Sequence, residues 1–126
     1  MPKLNIIKIG GAIIEEKRKL VSFLKDFSSL KGPKILVHGG GILASNYRVR
    51  LGISPKFIKG RRITDEKTLD VAIMTYAGLI NKKIVAQLQK SNCNSIGLSG
   101  VDCNLIKSKK REKRFFNSFL SIFSLS

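Results

Sequence analysis

Three consecutive glycines, Gly39-Gly40-Gly41, follow a short run of strand-favouring residues, Ile35-Leu36-Val37, with His38 between the two. Glycines bare the backbone amides at a strand end, and bare N–H groups at the start of a helix attract phosphates and other oxyanions. A second turn of this kind, Gly10-Gly11, follows Lys8-Ile9. Two such turns so close together predict an enzyme that handles an anionic group.

Strand and helix signals alternate in the first half of the chain. Residues 4–9 and 35–38 have strand composition, residues 13–30 carry apolar side chains at helical spacing, and a second helix opens at Gly39–Gly41 and runs to about Leu51. A βαβα order predicts an α/β fold with a parallel sheet and a ligand site at the carboxyl ends of the strands. Both glycine turns fall at those ends.

The second half is predicted to begin with a hairpin or short irregular strands over residues 52–64, which form a candidate lid. Thr64-Asp65 is typical of a helix N-cap, and the apolar spacing that follows predicts the longest helix, ending near Lys90. Residues 94–98 are predicted to form a third parallel strand, and Leu105-Ile106 to begin another.

Composition limits the class of protein. The 126 residues suit one soluble domain, and the net charge of +16 would suit a nucleic-acid or membrane partner. However, the lysines are scattered along the chain, so we interpret them as solvated surface and expect neither partner. Cys93 and Cys103 match no metal or redox spacing and His38 is the lone histidine, so the sequence predicts reduced thiols, no metal site and a cytoplasmic location.

One lysine and a pair of arginines have candidate roles. Lys8 lies in an apolar strand, where its ammonium either points to solvent or meets an anion at the strand end; both readings stay open from Lys8 alone. The two arginines of Gly60-Arg61-Arg62-Ile63-Thr64 could present a guanidinium fork to a carboxylate, or belong to an ordinary basic loop. His38 is expected to pack or to form a hydrogen bond, since no nucleophile or metal partner is evident.

Taken together, these motifs resemble those of acetylglutamate kinases, in the amino acid kinase superfamily. The Lys8-Ile9-Gly10-Gly11 and glycine-turn motifs occur in many members of the superfamily. The arginine-containing hairpin end is more specific, as are Tyr76-Ala77-Gly78-Leu79-Ile80-Asn81-Lys82 and Ile96-Gly97-Leu98-Ser99-Gly100-Val101-Asp102. The resemblance extends from about Lys3 to Arg111.

The resemblance implies a three-layer αβα sandwich with a mainly parallel sheet, here incomplete. It also implies transfer of the γ-phosphoryl group of ATP, with Mg²⁺, to the side-chain carboxylate of N-acetyl-L-glutamate in arginine biosynthesis, by a homodimer. The implied catalytic residue is Lys8, and the implied phosphate-binding residues are Gly10 and Gly11. Gly40, Gly41 and Arg62 are the implied substrate-binding residues. Whether the acyl group is acetyl or succinyl is left open.

Family members are considerably longer, and their second half supplies the nucleotide lobe. We therefore expect residues 1–111 to be an N-terminal acetylglutamate-binding lobe, truncated near Arg111, and residues 112–126 to be an atypical tail produced by a frameshift or a premature stop. The expected turnover of the chain alone is negligible. The alternative is a non-catalytic fragment, or a basic binding module that contacts nucleic acid or membrane.

Overall fold

A computed structural model describes residues 3–58 and 61–107 of the chain. Strands β1 (Asn5–Ile9) and β2 (Lys34–His38) pair in parallel, with Ile9 opposite His38 in the register. The predicted α/β fold with a parallel strand pair is confirmed. The predicted tail, residues 112–126, lies outside the described residues.

The helical stretch after β1 is divided in two. Helix α1 (Gly11–Glu15) and helix α2 (Lys17–Ser29) meet at Glu16, whose backbone is extended with φ −90° and ψ 99°. The single helix predicted over residues 13–30 is therefore wrong in its continuity. The break allows Ile13 and Ile14 in α1, as well as Leu24 in α2, to reach the same core.

The elements after β2 follow the predicted order. Helix α3 covers Gly41–Arg50, and strands β3 (Lys56–Ile58) and β4 (Arg61–Ile63) form the predicted hairpin, paired antiparallel. Helix α4 covers Glu66–Ala72 and begins at the predicted N-cap, Asp65, whose carboxylate accepts a hydrogen bond from the Thr68 amide at 3.0 Å.

The predicted long helix is present, but its middle is not a regular α-helix. Between α4 and helix α5 (Asn81–Lys90), residues Ile73–Ile80 form a π-helix, called the π segment below. Short π stretches inside helices often occur at functional sites. In this chain the π segment packs against the glycine turn that follows β2, through Tyr76 and Ile80.

The core lies on one face of the two-stranded sheet. Its buried members are Ile9 from β1, Leu24 and Phe27 from α2, and Ile80, Ile84 and Leu88 from the π segment and α5. On the opposite face, Ile6 and Ile35 are register partners and are 63% and 47% exposed. The described residues thus build one helical layer and a sheet whose second face is open.

The last predicted strands are wrong. Residues 94–98 alternate between exposed and partly buried positions as a strand would, but no described backbone pairs with them. Their carbonyl groups bond instead to side chains of α5: Lys82 Nζ lies 3.0 Å from the Gly97 oxygen, and Gln89 Nε2 lies 3.1 Å from the Ser95 oxygen. Leu105 and Ile106 follow a short 3₁₀ turn (Asp102–Asn104) and begin no strand within the described residues.

Within residues 3–58 and 61–107, no helix combines the length and apolar character needed to cross a membrane.

Candidate functional site

The two glycine turns lie side by side. Because Ile9 is opposite His38, the turns that leave β1 and β2 start at the same edge of the sheet. Helix α1 begins at Gly11 and α3 begins at Gly41, and neither helix start is capped by a side chain. The first N–H groups of a helix have no partner within that helix. The edge therefore presents two sets of backbone N–H groups that can donate hydrogen bonds to an anion, and the binding of an anion there stays a prediction.

Gly40 is the most constrained residue of the second turn. It is buried and has a φ of 157°, and a Cβ at this position would overlap Cδ1 of Ile80 and lie 3.1 Å from Cδ1 of Tyr76. Only glycine allows the π segment to approach the turn this closely. The neighbouring Gly39 has open space at the same point.

His38, the last residue of β2, is 7% exposed and lies under this turn. Its Nδ1 is 3.1 Å from the Gly39 carbonyl oxygen, and its Nε2 is 3.3 Å from Nδ2 of Asn81. Burial lowers the pKa of His38, partly offset by the bond to the Gly39 carbonyl. The imidazole is therefore neutral at pH 7, and the expectation of a hydrogen-bonding histidine is confirmed.

Lys8 lies two residues before Gly10, on the open face of the sheet, opposite Val37 in the register. Its side chain is exposed, and no described residue pairs with its ammonium group. Its role towards an anion at the strand end stays a prediction. The ammonium group remains available to an anion at the strand end.

Arg62 lies in β4, opposite Phe57. The hairpin is tied to α4 at its base, where Nζ of Lys56 is 2.8 Å from Oδ2 of Asp65. This ion pair and the Thr68 side-chain and backbone hydrogen bonds hold the pKa of Asp65 well below its usual range. The role of Arg62 towards a carboxylate and the role of residues 52–64 as a lid stay predictions.

A third turn, Ser99 to Asp102, follows the extended segment. The Asp102 carboxylate accepts from the Ser99 hydroxyl at 2.7 Å and from the Ser99 amide, and these bonds, together with the charge of Lys82, lower the pKa of Asp102. Neither Ser99 nor Asp102 has a role that is evident from the sequence. The spacing of a serine and an aspartate three residues apart is the signal that could have indicated the turn.

Asn81 is a second residue that sequence reasoning missed. It is 6% exposed, and besides His38 its Nδ2 faces the Leu98 carbonyl oxygen at 3.5 Å. The contact with His38 joins residues 43 positions apart. No local pattern signals a contact at that separation, so only the fold reveals it.

The described residues contain no group of three or more His, Cys, Asp or Glu side chains that could hold a metal ion. Cys93 and Cys103 are both free thiols.

Residues 3–121 match the sequence profile of the amino acid kinase family. The chain belongs to this family. It is similar to the acetylglutamate kinase of Cytophaga hutchinsonii, with 57% identity over 111 residues, and to those of Bacteroides thetaiotaomicron at 51% and Methanopyrus kandleri at 40%. These matches cover 86–88% of the chain but 42% of each relative, so the chain spans about two-fifths of their length.

One similar solved structure is that of smu.665 from Streptococcus mutans UA159. It has a TM-score of 0.56 and 22% sequence identity, and the match covers 71% of this chain and 37% of that one. At this identity the likeness concerns the fold alone. It agrees with the α/β architecture described above.

Proposed function

We propose that this chain is the acetylglutamate-binding part of an acetylglutamate kinase, an enzyme of arginine biosynthesis located in the cytoplasm. The reaction would transfer the γ-phosphoryl group of ATP to the side-chain carboxylate of N-acetyl-L-glutamate. The observation that carries the proposal is the pair of glycine turns held at one sheet edge by the Ile9–His38 register. The similarity to three acetylglutamate kinases at 40–57% identity supports it.

The glycine turns would bind the reacting oxygens. Amides of Gly40 and Gly41 at the start of α3 would donate to the acceptor carboxylate and the phosphoryl group, while amides of Gly10 and Gly11 at the start of α1 would hold phosphate oxygens. Backbone donors of this kind are fixed before the reaction begins. They stabilise developing negative charge without a reorganisation cost.

Two cations would complete the site. We assign Lys8 to the transferring phosphoryl group, where its exposed ammonium can reach an anion at the end of β1. We assign Arg62 to the α-carboxylate of the substrate, beneath the hairpin.

In the reaction a carboxylate oxygen forms a bond to the γ-phosphorus, the bond from that phosphorus to its bridging oxygen breaks, and ADP leaves with the electron pair. The glycine amides, Lys8 and Arg62 would position the substrates and neutralise their negative charge, and none of them forms a covalent intermediate.

The bare amides of both turns fit the phosphate oxygens of ATP, which when bound would supply the phosphoryl group. The described residues contain no acidic cluster that fits Mg²⁺. We therefore assign no magnesium ligand among them.

Binding of N-acetyl-L-glutamate tests the proposal directly. Isothermal titration of the full chain is expected to show binding of N-acetyl-L-glutamate, weakened about tenfold or more by Arg62→Gln through loss of a charged hydrogen-bonded pair. The matched control is Arg61→Gln, which removes the same charge from the neighbouring residue of β4 and is expected to bind as the unaltered chain does. Equal weakening by both variants would remove Arg62 from the site, and N-succinyl-L-glutamate in parallel would define the acyl group.

A second titration separates the proposal from its alternative. The net charge of +16 favours non-specific contact with nucleic acid, so a short DNA duplex is titrated at two salt concentrations. Salt-sensitive binding of DNA together with no binding of N-acetyl-L-glutamate would replace the kinase proposal by a basic binding module.

Turnover requires a nucleotide lobe. The chain alone is expected to form no acyl phosphate when hydroxylamine is used to trap it as a hydroxamate. Co-expression with the remaining C-terminal part of the Cytophaga hutchinsonii acetylglutamate kinase is expected to restore trapping, because the two chains are 57% identical over the shared part. We further propose that the assembled protein is a homodimer, which light scattering after size-exclusion chromatography measures.

A further inference from the structure

The orientation of one peptide group decides whether the second glycine turn can bind an anion. The peptide between Gly39 and Gly40 is trans, as are all those described, so its carbonyl and its N–H point in opposite directions. Glycine on both sides lets such a peptide rotate at little steric cost. A fixed orientation therefore needs an external contact.

His38 supplies that contact. A carbonyl oxygen only accepts hydrogen bonds, so the 3.1 Å contact between His38 Nδ1 and the Gly39 oxygen requires the proton on Nδ1. With the carbonyl held towards the imidazole, the Gly40 N–H points away from it. Among the described residues, no group accepts a hydrogen bond from that N–H.

Asn81 fixes the same tautomer from the other side of the ring. Its Nδ2 lies 3.3 Å from His38 Nε2 and 3.5 Å from the Leu98 carbonyl oxygen, and a donor suits both of these acceptors. The reversed amide would place Oδ1 against the Leu98 oxygen and demand the proton on Nε2. Nδ1 would then face the Gly39 oxygen as a second acceptor, and the carbonyl would be repelled.

We infer that His38 and Asn81 are positioning residues that hold the Gly39–Gly40 peptide with its N–H directed to the anion. The inference rests on the proposed function. Neither side chain touches the substrate: His38 acts through the Gly39 carbonyl, and Asn81 acts through His38. The Gly40 amide is the donor that they orient.

The tautomer of His38 can be read without any ligand. His38 is the only histidine of the chain, so ¹⁵N-labelled protein gives a single set of imidazole resonances. The expected spectrum at pH 7 is that of a neutral ring protonated on Nδ1. A ring protonated on Nε2 in the folded chain would overturn the inference, whatever the chain binds.

Variants of His38 test whether the hydrogen bond matters to binding. His38→Phe keeps an aromatic ring but removes the donor, and is expected to weaken binding of N-acetyl-L-glutamate about tenfold, the scale of one lost hydrogen bond to a charged group. His38→Gln restores an N–H donor and is expected to recover part of that loss. Binding by folded His38→Phe as tight as by the unaltered chain would also overturn the inference.

Asn81→Asp is the second variant, useful if His38→Phe does not fold. A carboxylate only accepts, so it draws the proton to Nε2 or stabilises the imidazolium, and the imidazole resonances are expected to change together with about tenfold weaker binding. Lys82→Gln is the matched control, because Lys82 bonds to the Gly97 carbonyl and not to His38. It is expected to leave both the tautomer and the affinity unchanged, and an equal effect of both variants would indicate a merely structural role.

The two proposals fail in different ways. If the unaltered chain does not bind N-acetyl-L-glutamate, the proposed function fails, and inorganic phosphate then serves as the probe for the His38 and Asn81 variants. If the unaltered chain binds N-acetyl-L-glutamate but the tautomer is wrong, only the positioning role fails.

Discussion

Lys56 and Asp65 form an ion pair, with 2.8 Å between Nζ and Oδ2, that joins the first residue of the hairpin to the N-cap of α4. Asp65 thus contacts both the hairpin and α4. Its carboxylate accepts from the Thr68 amide, which would otherwise have no partner at the helix start, and it neutralises the lysine that begins β3.

Substitutions at Asp65 separate the two contributions. Asp65→Ala removes both the cap and the ion pair, whereas Asp65→Asn keeps a capping oxygen and removes the charge. We expect the melting temperatures to fall in the order unaltered chain, Asp65→Asn, Asp65→Ala, as measured by circular dichroism. Added salt should narrow the gap between the first two by screening the exposed pair, and a gap that salt does not change would contradict the ion-pair contribution.

The stability contributed by Asp65 should also depend on pH. Its pKa is lowered in the folded chain, so its contribution is fully present above the pKa of the unfolded state, about 3.9, and is lost as the pH falls through the lower folded value. Urea unfolding between pH 6 and pH 3 should show a smaller loss of stability for Asp65→Asn than for the unaltered chain.

His38 should make the stability of the fold depend on pH in a second, higher range. Burial lowers its pKa, so the unfolded chain takes up a proton below about pH 6.5 before the folded chain does, and stability falls as the pH falls. The slope from this single group is at most about 1.4 kcal/mol per pH unit. Urea unfolding between pH 7.5 and 5.5 should show the slope, and His38→Phe should remove it. A slope that persists in the variant would assign it to another group.

Adjacent glycines of the second turn offer a matched pair of substitutions. Gly40→Ala introduces a Cβ that overlaps Ile80, and should cost about 1–3 kcal/mol of unfolding free energy, the usual cost of overpacking. Gly39→Ala meets open space and should cost much less. Combining Gly40→Ala with Ile80→Ala should make the two losses less than additive, because the shorter side chain frees the space. Strict additivity would refute the clash.

The open face of the sheet should cause self-association. Ile6 and Ile35 are paired in the register and exposed, and exposed apolar patches next to an unpaired strand edge favour aggregation. Sedimentation velocity should show less association for Ile6→Thr/Ile35→Thr than for the unaltered chain. Val49→Thr, at a residue of α3 that is 71% exposed and lies outside the sheet, is the control and should change little.

Local signals predicted the parts of the fold that depend on neighbouring residues. Both glycine turns, the hairpin and the Asp65 cap are present because each is determined within a few residues of sequence. Residues 94–98 also carry a local strand pattern, but a strand needs a partner, and none of the described residues supplies one. The interruption at Glu16 lets residues of both α1 and α2 pack on the same core, and no periodicity in the sequence indicates it.

The candidate site also contains some features that the local sequence predicts and others that only the packing of distant elements determines. The turns at Gly10-Gly11 and Gly40-Gly41 could be predicted because a glycine turn after a strand has a recognisable sequence, and their adjacency followed from the parallel pairing, while their role in binding stays a prediction. The contact between His38 and Asn81 could not be predicted, because it depends on how the π segment packs against β2. The reason why Gly40 must be glycine has the same origin.

The number of residues in the π segment determines how α5 is rotated about the helix axis relative to α4. An α-helix turns about 100° per residue, so removing one residue from Ile73–Ile80 would rotate α5 by about that angle relative to α4. Asn81 would then leave the imidazole, while Ile84 and Leu88 would turn out of the core. The number of residues in the π segment therefore fixes the orientation of α5. With this number, Asn81 contacts His38 while Ile84 and Leu88 of the same helix face the core.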